Sequence, residues 1–260
     1  FENFNSSDLE LSLNKVSKDT YLKVFDQYIT ASSLRPSNFD KLNSNLKISL
    51  DHEDFSLTTG IQSYENLQTK KRSDRYQYNL PYYNFDKLIS QNFFKGNISF
   101  FSSGNNYLSE TNKLETNITN DFNYNSLDFI SNLGIKNNYS LSIKNLNSVG
   151  KKTSQYKSDP QVEFAGLFNV DFSMPLEKKA KNYDNLLTPK LSFRFNPNDM
   201  KDHSLSENRI NVSNAFALNR LGLSDTLETG RSMTLGLDYE NKKKDDLNQI
   251  NNYFELKLAT

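Results

Sequence analysis

LTPKLSFRFN, residues 187–196, decides what kind of chain this is. In an extended strand Leu187, Pro189, Leu191, Phe193 and Phe195 point to one face, and Thr188, Lys190, Ser192, Arg194 and Asn196 point to the other. The first face is apolar throughout; the second carries cations, hydroxyls and an amide. A slip of one residue would exchange the faces completely, so the pattern specifies a two-sided sheet and its register.

The same period of two recurs along the chain. MTLGLDYE (233–240) places Met233, Leu235, Leu237 and Tyr239 together, and FELKLAT (254–260) places Phe254, Leu256 and Leu258 together. NKLETNITNDFNYN (112–125) is divided between Leu114, Thr116, Ile118, Asn120, Phe122 and Tyr124 on one face and Lys113, Glu115, Asn117, Thr119, Asp121 and Asn123 on the other. Further strands are predicted at 8–14, 20–29, 45–50, 55–65, 76–85, 97–102, 131–145 and 162–174, about twelve in all. No segment shows a convincing run of apolar residues at i, i+3, i+4 and i+7. The fold class is therefore all-β, an antiparallel up-and-down sheet.

Composition narrows what such a sheet is for. With 31 Lys+Arg against 31 Asp+Glu the net charge is zero, so the chain as a whole has no electrostatic bias toward nucleic acid. Mean hydropathy is −0.73, and no run of about 18 apolar residues exists to form a membrane helix. A membrane barrel remains open, because its strands alternate over only about 9–11 residues and its loops and interior are polar. The 19 Phe and 14 Tyr, several near strand ends (Tyr82, Tyr83, Phe85, Tyr239, Tyr253), suit that alternative.

Connections point the same way. If DHED (51–54) is a tight turn, alternate counting places the long polar stretches 31–44, 66–75, 103–112, 146–161 and 197–230 on one rim. The other rim keeps mostly shorter turns, with 175–186 and 242–252 longer than ideal. Long loops on one rim and short turns on the other are the layout of an outer-membrane barrel. A soluble β-sandwich binding module and a porin-like channel are the rivals.

Chemistry is sparse. There is no Cys, hence no disulfide or thiolate site. His52 lies among the carboxylates of DHED without metal-ligand spacing, and His203 lies near Asp202, Ser204 and Glu207 in a loop stretch. No nucleophile or phosphate-loop motif occurs, so no catalytic residue, cofactor or metal is expected. The basic runs TKKRSDR (69–75) and VGKKTSQYK (149–157) read as solvated loop tips, or, for Lys70, Lys71, Arg72 and Arg75, as contacts to lipid phosphates. Lys190, Arg194, Glu115 and Asp121 would line a lumen.

NAFALNRLGLSDTLETG, residues 214–230, is too long and too particular for a hairpin turn. Its run resembles the barrel region of the lipopolysaccharide-assembly outer-membrane protein family, LptD. Phe216, Asn219, Arg220, Gly222, Asp225 and Gly230 stand at the matching places, and Thr226 stands where many members have Arg. LLTPKLSFRFNP, DRYQYNLPYYNF (Tyr76, Tyr78, Leu80, Pro81) and DTYLKVFDQY (Asp19, Tyr21, Leu22) resemble further segments of the family in the same order. The resemblance implies that residues 1–260 are part of a large outer-membrane β-barrel, incomplete and possibly a curved open sheet, with a periplasmic N-terminal domain and closing strands outside it. It implies transport and insertion of lipopolysaccharide without catalysis, at the cell outer membrane. The implied partners are lipopolysaccharide, a plug lipoprotein of the LptE type, and periplasmic lipopolysaccharide bridge proteins. Within that reading Arg220 and Asp225 are expected to tie the 214–230 loop by charge-assisted hydrogen bonds, with Phe216, Leu218 and Leu221 packing against the wall or the plug and Gly222 and Gly230 allowing bends. A barrel ending at these strands would leave two unpaired edges, and is expected not to insert stably alone.

Overall fold

The computed structural model describes residues 4–28, 38–180, 182–200, 208–223, 225–244 and 250–260. Its strands are β1 (Ser6–Ser12), β2 (Lys41–Asp51), β3 (Phe55–Asn66), β4 (Tyr76–Phe93), β5 (Gly96–Ser109), β6 (Lys113–Ser126), β7 (Phe129–Ile130), β8 (Lys136–Lys151), β9 (Gln161–Ser173), β10 (Leu176–Lys179), β11 (Tyr183–Asn196), β12 (Gly230–Lys244) and β13 (Ile250–Ala259). Two single-turn helices, α1 (Tyr21–Val24) and α2 (Arg72–Arg75), accompany them. The strands form one sheet in the order β1-β2-β3-β4-β5-β6-β8-β9-β11-β12-β13, with β7 beside β8 and β10 beside β11. Sequence neighbours are therefore spatial neighbours, as the up-and-down reading required. β1 and β13 end the order among the described residues.

The chain folds into two compact units. In the first (Phe1–Ile89, Phe100–Asp121 and Asn145–Glu163), β1 to β3 pair in continuous antiparallel register, Leu9 opposite Ile48 and Ile48 opposite Thr59, and β3 pairs with β4 with a register shift between Gly60 and Gln62. In the second (Ser90–Ser99, Phe122–Lys144 and Phe164–Thr260), β11 pairs with β12 from Tyr183↔Lys243 to Asn196↔Gly230, and with β9 from Lys190↔Ser173 to Phe195↔Phe168. Pro189 cannot donate to a ladder. It sits where pairing with β9 stops, its carbonyl accepting from the Met174 N–H at 3.1 Å, and β10 takes over at Leu187↔Leu176.

What distinguishes the sheet is which face is covered. On β11, Ser192, Arg194 and Asn196 are buried, Arg194 to 5% exposure, while Phe193 and Phe195 between them are 44% and 42% exposed. On β8, Ser140, Ser142, Lys144 and Ser148 are buried, and Tyr139, Leu141 and Ile143 are exposed. On β12, Thr234 is buried between exposed Met233 and Leu235. In water this arrangement is inverted, since large apolar side chains supply most of a core and charged ones seldom enter it. In a barrel wall it is the ordinary order, apolar toward lipid and polar toward the interior.

Three stretches depart from the sequence expectation. The 20–29 strand is instead α1 followed by a 3-10 turn, Asp26–Tyr28, with residue 29 outside the described set. A single buried residue sets this: Leu22 packs with Leu42 and Leu67, flanked by Val16 and Phe39, so the segment folds back rather than joining the sheet. The 103–112 loop is mostly strand, because β5 runs to Ser109 and turns over Glu110 and Thr111, both at positive φ. Its polarity, NNYLS, reflects extension beyond the apolar band rather than a loop. The 146–161 loop likewise begins only after Lys151. Phe94 and Lys95, at φ 46° and 57°, join β4 to β5 in a two-residue turn whose left-handed residues match strand twist.

Candidate functional site

The longest connection, 197–229, carries the site. Among its described residues it turns onto the polar face of β9, β11 and β12, and named side chains hold it there. Arg194, from β11, donates through both terminal nitrogens to the carbonyls of Ala217 and Leu218, at 2.6 and 2.5 Å. Asn196, one turn of the pleat away, donates to the carbonyls of Leu227 and Glu228 at 3.2 and 3.0 Å. These strand side chains satisfy loop backbone that a wall would otherwise leave unpaired.

Arg220 closes the loop from the other direction. Its Nε donates to Glu228 Oε2 at 2.8 Å and an Nη donates to the other carboxylate oxygen, a fork-on-fork pair. The same guanidinium reaches Ser232 Oγ at 3.0 Å and Thr234 Oγ1 at 3.3 Å on β12. The carboxylate that receives Arg220 is therefore Glu228. Asp225 is half-buried in the same connection.

Apolar side chains fill what remains. Leu227 joins Ala165 and Leu167 of β9 in a buried cluster, with Leu218 against it. Phe216 lies where Gly236 of β12 has no side chain: a Cβ there would stand 2.5 Å from the ring. The ring also lies 5.6 Å below the ammonium of Lys190, which is ion-paired with Asp238. Asn219 fastens the bend, accepting from the Leu223 N–H at 3.1 Å and donating to its carbonyl at 2.8 Å, with Gly222 at φ 63° between them. Gly230, at φ 94°, opens β12. Of the six residues singled out in 214–230, Phe216, Asn219, Arg220, Gly222 and Asp225 lie in this connection and Gly230 opens β12; the sequence marks Arg194 only as a lumen residue and does not single out Asn196, Glu228 or Gly236. A glycine at position 236 on the polar face of an otherwise regular strand was the one available signal.

The basic run 69–75 divides. Arg75 is committed to protein carboxylates, donating to Glu65 Oε1 at 2.7 Å and to both oxygens of Asp19 at 3.0 and 2.7 Å. A lipid phosphate would have to displace both, so Arg75 reads as a clamp on the segment before α1. Lys70 and Lys71 are exposed, and the side chain of Arg72 lies outside the described set. Lys23 of α1 pairs with Asp40, completing the attachment.

Hydrogen bonding to Arg75 holds the Asp19 carboxyl below its ordinary range, and hydrogen bonding to Lys23 does the same for Asp40. Both shifts are downward, so their contribution is fully present above the ordinary carboxylate range and is lost as pH falls through the lowered values. Lowering pH from about 7 through those lowered values is expected to release α1 while leaving the strands paired. Amide exchange at Leu22 against Ile48 would check this.

Other sequence candidates are placed as follows. His52 accepts from the Asp54 N–H at 3.2 Å and stacks on Phe55 at 4.9 Å, so it shapes the β2–β3 turn. Glu115 accepts from Thr153 and faces Lys113. Asp121 lies on the same face of β6 as Glu115. His203 lies outside the described residues. Among the described residues no group of three His, Cys, Asp or Glu could hold a metal, and no helix is long and apolar enough to cross a membrane.

An antiparallel sheet with apolar side chains outside, charged ones inside, and a long connection pinned to the polar face defines an outer-membrane β-barrel wall. The family comparison is specific. The model of LptD, LPS transport system D, matches residues 2–254, and the chain belongs to that family. The family is a transport component of the outer membrane. No curated protein matches the chain significantly.

Proposed function

We propose that this chain forms part of the wall of an outer-membrane barrel that carries lipopolysaccharide and inserts it into the outer leaflet, with no catalytic step. The inverted faces of β8, β11 and β12 carry the reading: apolar side chains outside need hydrocarbon, and the buried Arg194, Asn196 and Ser192 need a polar interior. The docked connection, residues 208–223 and 225–229, narrows that interior. Arg194, Asn196 and Arg220 hold it, with Phe216, Asn219, Gly222 and Gly230 giving its shape, while Asp225 belongs to the same connection. Lys70 and Lys71 remain candidates for phosphate contact at the rim. A plug lipoprotein of the LptE type and periplasmic bridge proteins complete the proposed path.

Depleting the protein in its host tests this. Newly made lipopolysaccharide is expected to stop reaching the cell surface, read by labelling of intact cells, before any fall in small-solute permeability. A porin would give the opposite order: permeability falls and surface lipopolysaccharide continues.

A further inference from the structure

We propose that the outward face of β9, β11 and β12 holds a phosphorylated glycolipid beside Arg231, as a resident of the wall rather than as cargo in passage. The inference rests on the outer-membrane reading above. Phe195 stands directly opposite Phe168 on one neighbour and Arg231 on the other. One rung further along, Phe193 stands between Val170 and Met233. The two rungs border a groove of about 470 Å³, open on the apolar side.

The cation is placed for a head group. Arg231 lies 5.4 Å over the Phe195 ring, and Gly230, which ends the long 197–229 connection, is its neighbour in the chain. The guanidinium therefore sits at the rim while the rings run down the wall from it. A guanidinium stacked on a ring keeps its N–H groups directed outward, which suits bidentate binding of phosphate. Among the described residues no carboxylate pairs with Arg231.

Acyl chain and groove are equally apolar, so filling the groove from the bilayer gains little. Selection must come from the cation. A phosphate directly above acyl chains is the matching chemistry, and in outer-membrane barrels the rim of long connections faces the outer leaflet. That leaflet's phosphorylated glycolipid is the occupant.

A photoreactive residue, Met233→p-benzoylphenylalanine, placed in the full-length protein in its native membrane would capture the occupant for mass spectrometry. The expected adduct is the phosphorylated glycolipid, and Arg231→Gln is expected to reduce it about tenfold, as losing a charge-assisted contact should. Because that variant could assemble poorly, the purified protein with unaltered Arg231 is also irradiated in phosphatidylcholine vesicles holding lipid A or dephosphorylated lipid A. Only the phosphorylated form is expected to be captured. Equal capture with and without Arg231 or phosphate, or glycerophospholipid as the main adduct, would overturn the inference and leave the membrane wall standing. Absence of any lipid adduct would overturn both.

Discussion

Leu235→Arg is expected to destabilise the protein by about 2–4 kcal/mol when it is embedded in lipid, the cost of arginine near the middle of a barrel wall. Leu235 is 48% exposed and midway along β12, with Leu191 opposite it on β11. In a soluble sheet the same substitution would touch only water, and surface changes of that kind usually stay within about 0.5 kcal/mol. The two readings of one exposed leucine differ by more than the uncertainty of an unfolding titration. Val162→Arg, on the first strand residues of β9 near the rim, is expected to cost only about 0–1 kcal/mol, because the penalty falls toward the interface. Urea unfolding in vesicles of one thickness would measure both. Equal, small effects would return the chain to the sandwich class.

The faces themselves were legible in the sequence. LTPKLSFRFN and MTLGLDYE alternate without interruption, and the structure pairs them residue for residue across β11 and β12. Alternation alone, however, does not say which face is covered. Arg194 on an alternating strand reads the same whether it meets water or lies beneath a loop. Its burial depends on a connection more than twenty residues away in sequence, at Ala217 and Leu218. Strand length was hidden for a related reason: β5 continues through Asn105, Asn106 and Tyr107, where both faces are polar or mixed and the period of two fades. There, cross-strand bonds such as Thr116 Oγ1 to Asn106 Oδ1 at 2.7 Å replace hydrophobic pattern as the determinant. The α1 turn depends on Leu22 finding Leu42 and Leu67, contacts that no local window contains. Glu228 as the partner of Arg220 was not legible, because in irregular backbone spacing along the chain does not fix spacing in space.

Glu228→Ala should be the most damaging single change in the connection. The carboxylate takes Arg220 in a bidentate pair and lies 3.9 Å from Arg194, so it is shared by two guanidiniums that are 7% and 5% exposed. Its removal leaves two cations close together in a site with little water, and breaking a buried pair from one side costs about 3–5 kcal/mol. Arg220→Ala leaves Glu228 beside Arg194, which can take over as partner, so the expected loss is smaller, about 1–3 kcal/mol. Arg220→Leu combined with Glu228→Leu should cost less than the single glutamate change, since one buried guanidinium, Arg194, rather than two is left without that carboxylate. Only the connection should respond at first, because the β11–β12 ladder from Tyr183↔Lys243 to Asn196↔Gly230 does not pass through these side chains. Protease cleavage within 208–229, followed against amide protection in β12, separates the two. If Glu228→Ala left cleavage unchanged, the pinning of this connection by paired charges would be wrong, and Phe216 in the Gly236 notch with Leu227 on Ala165 and Leu167 would have to hold it instead.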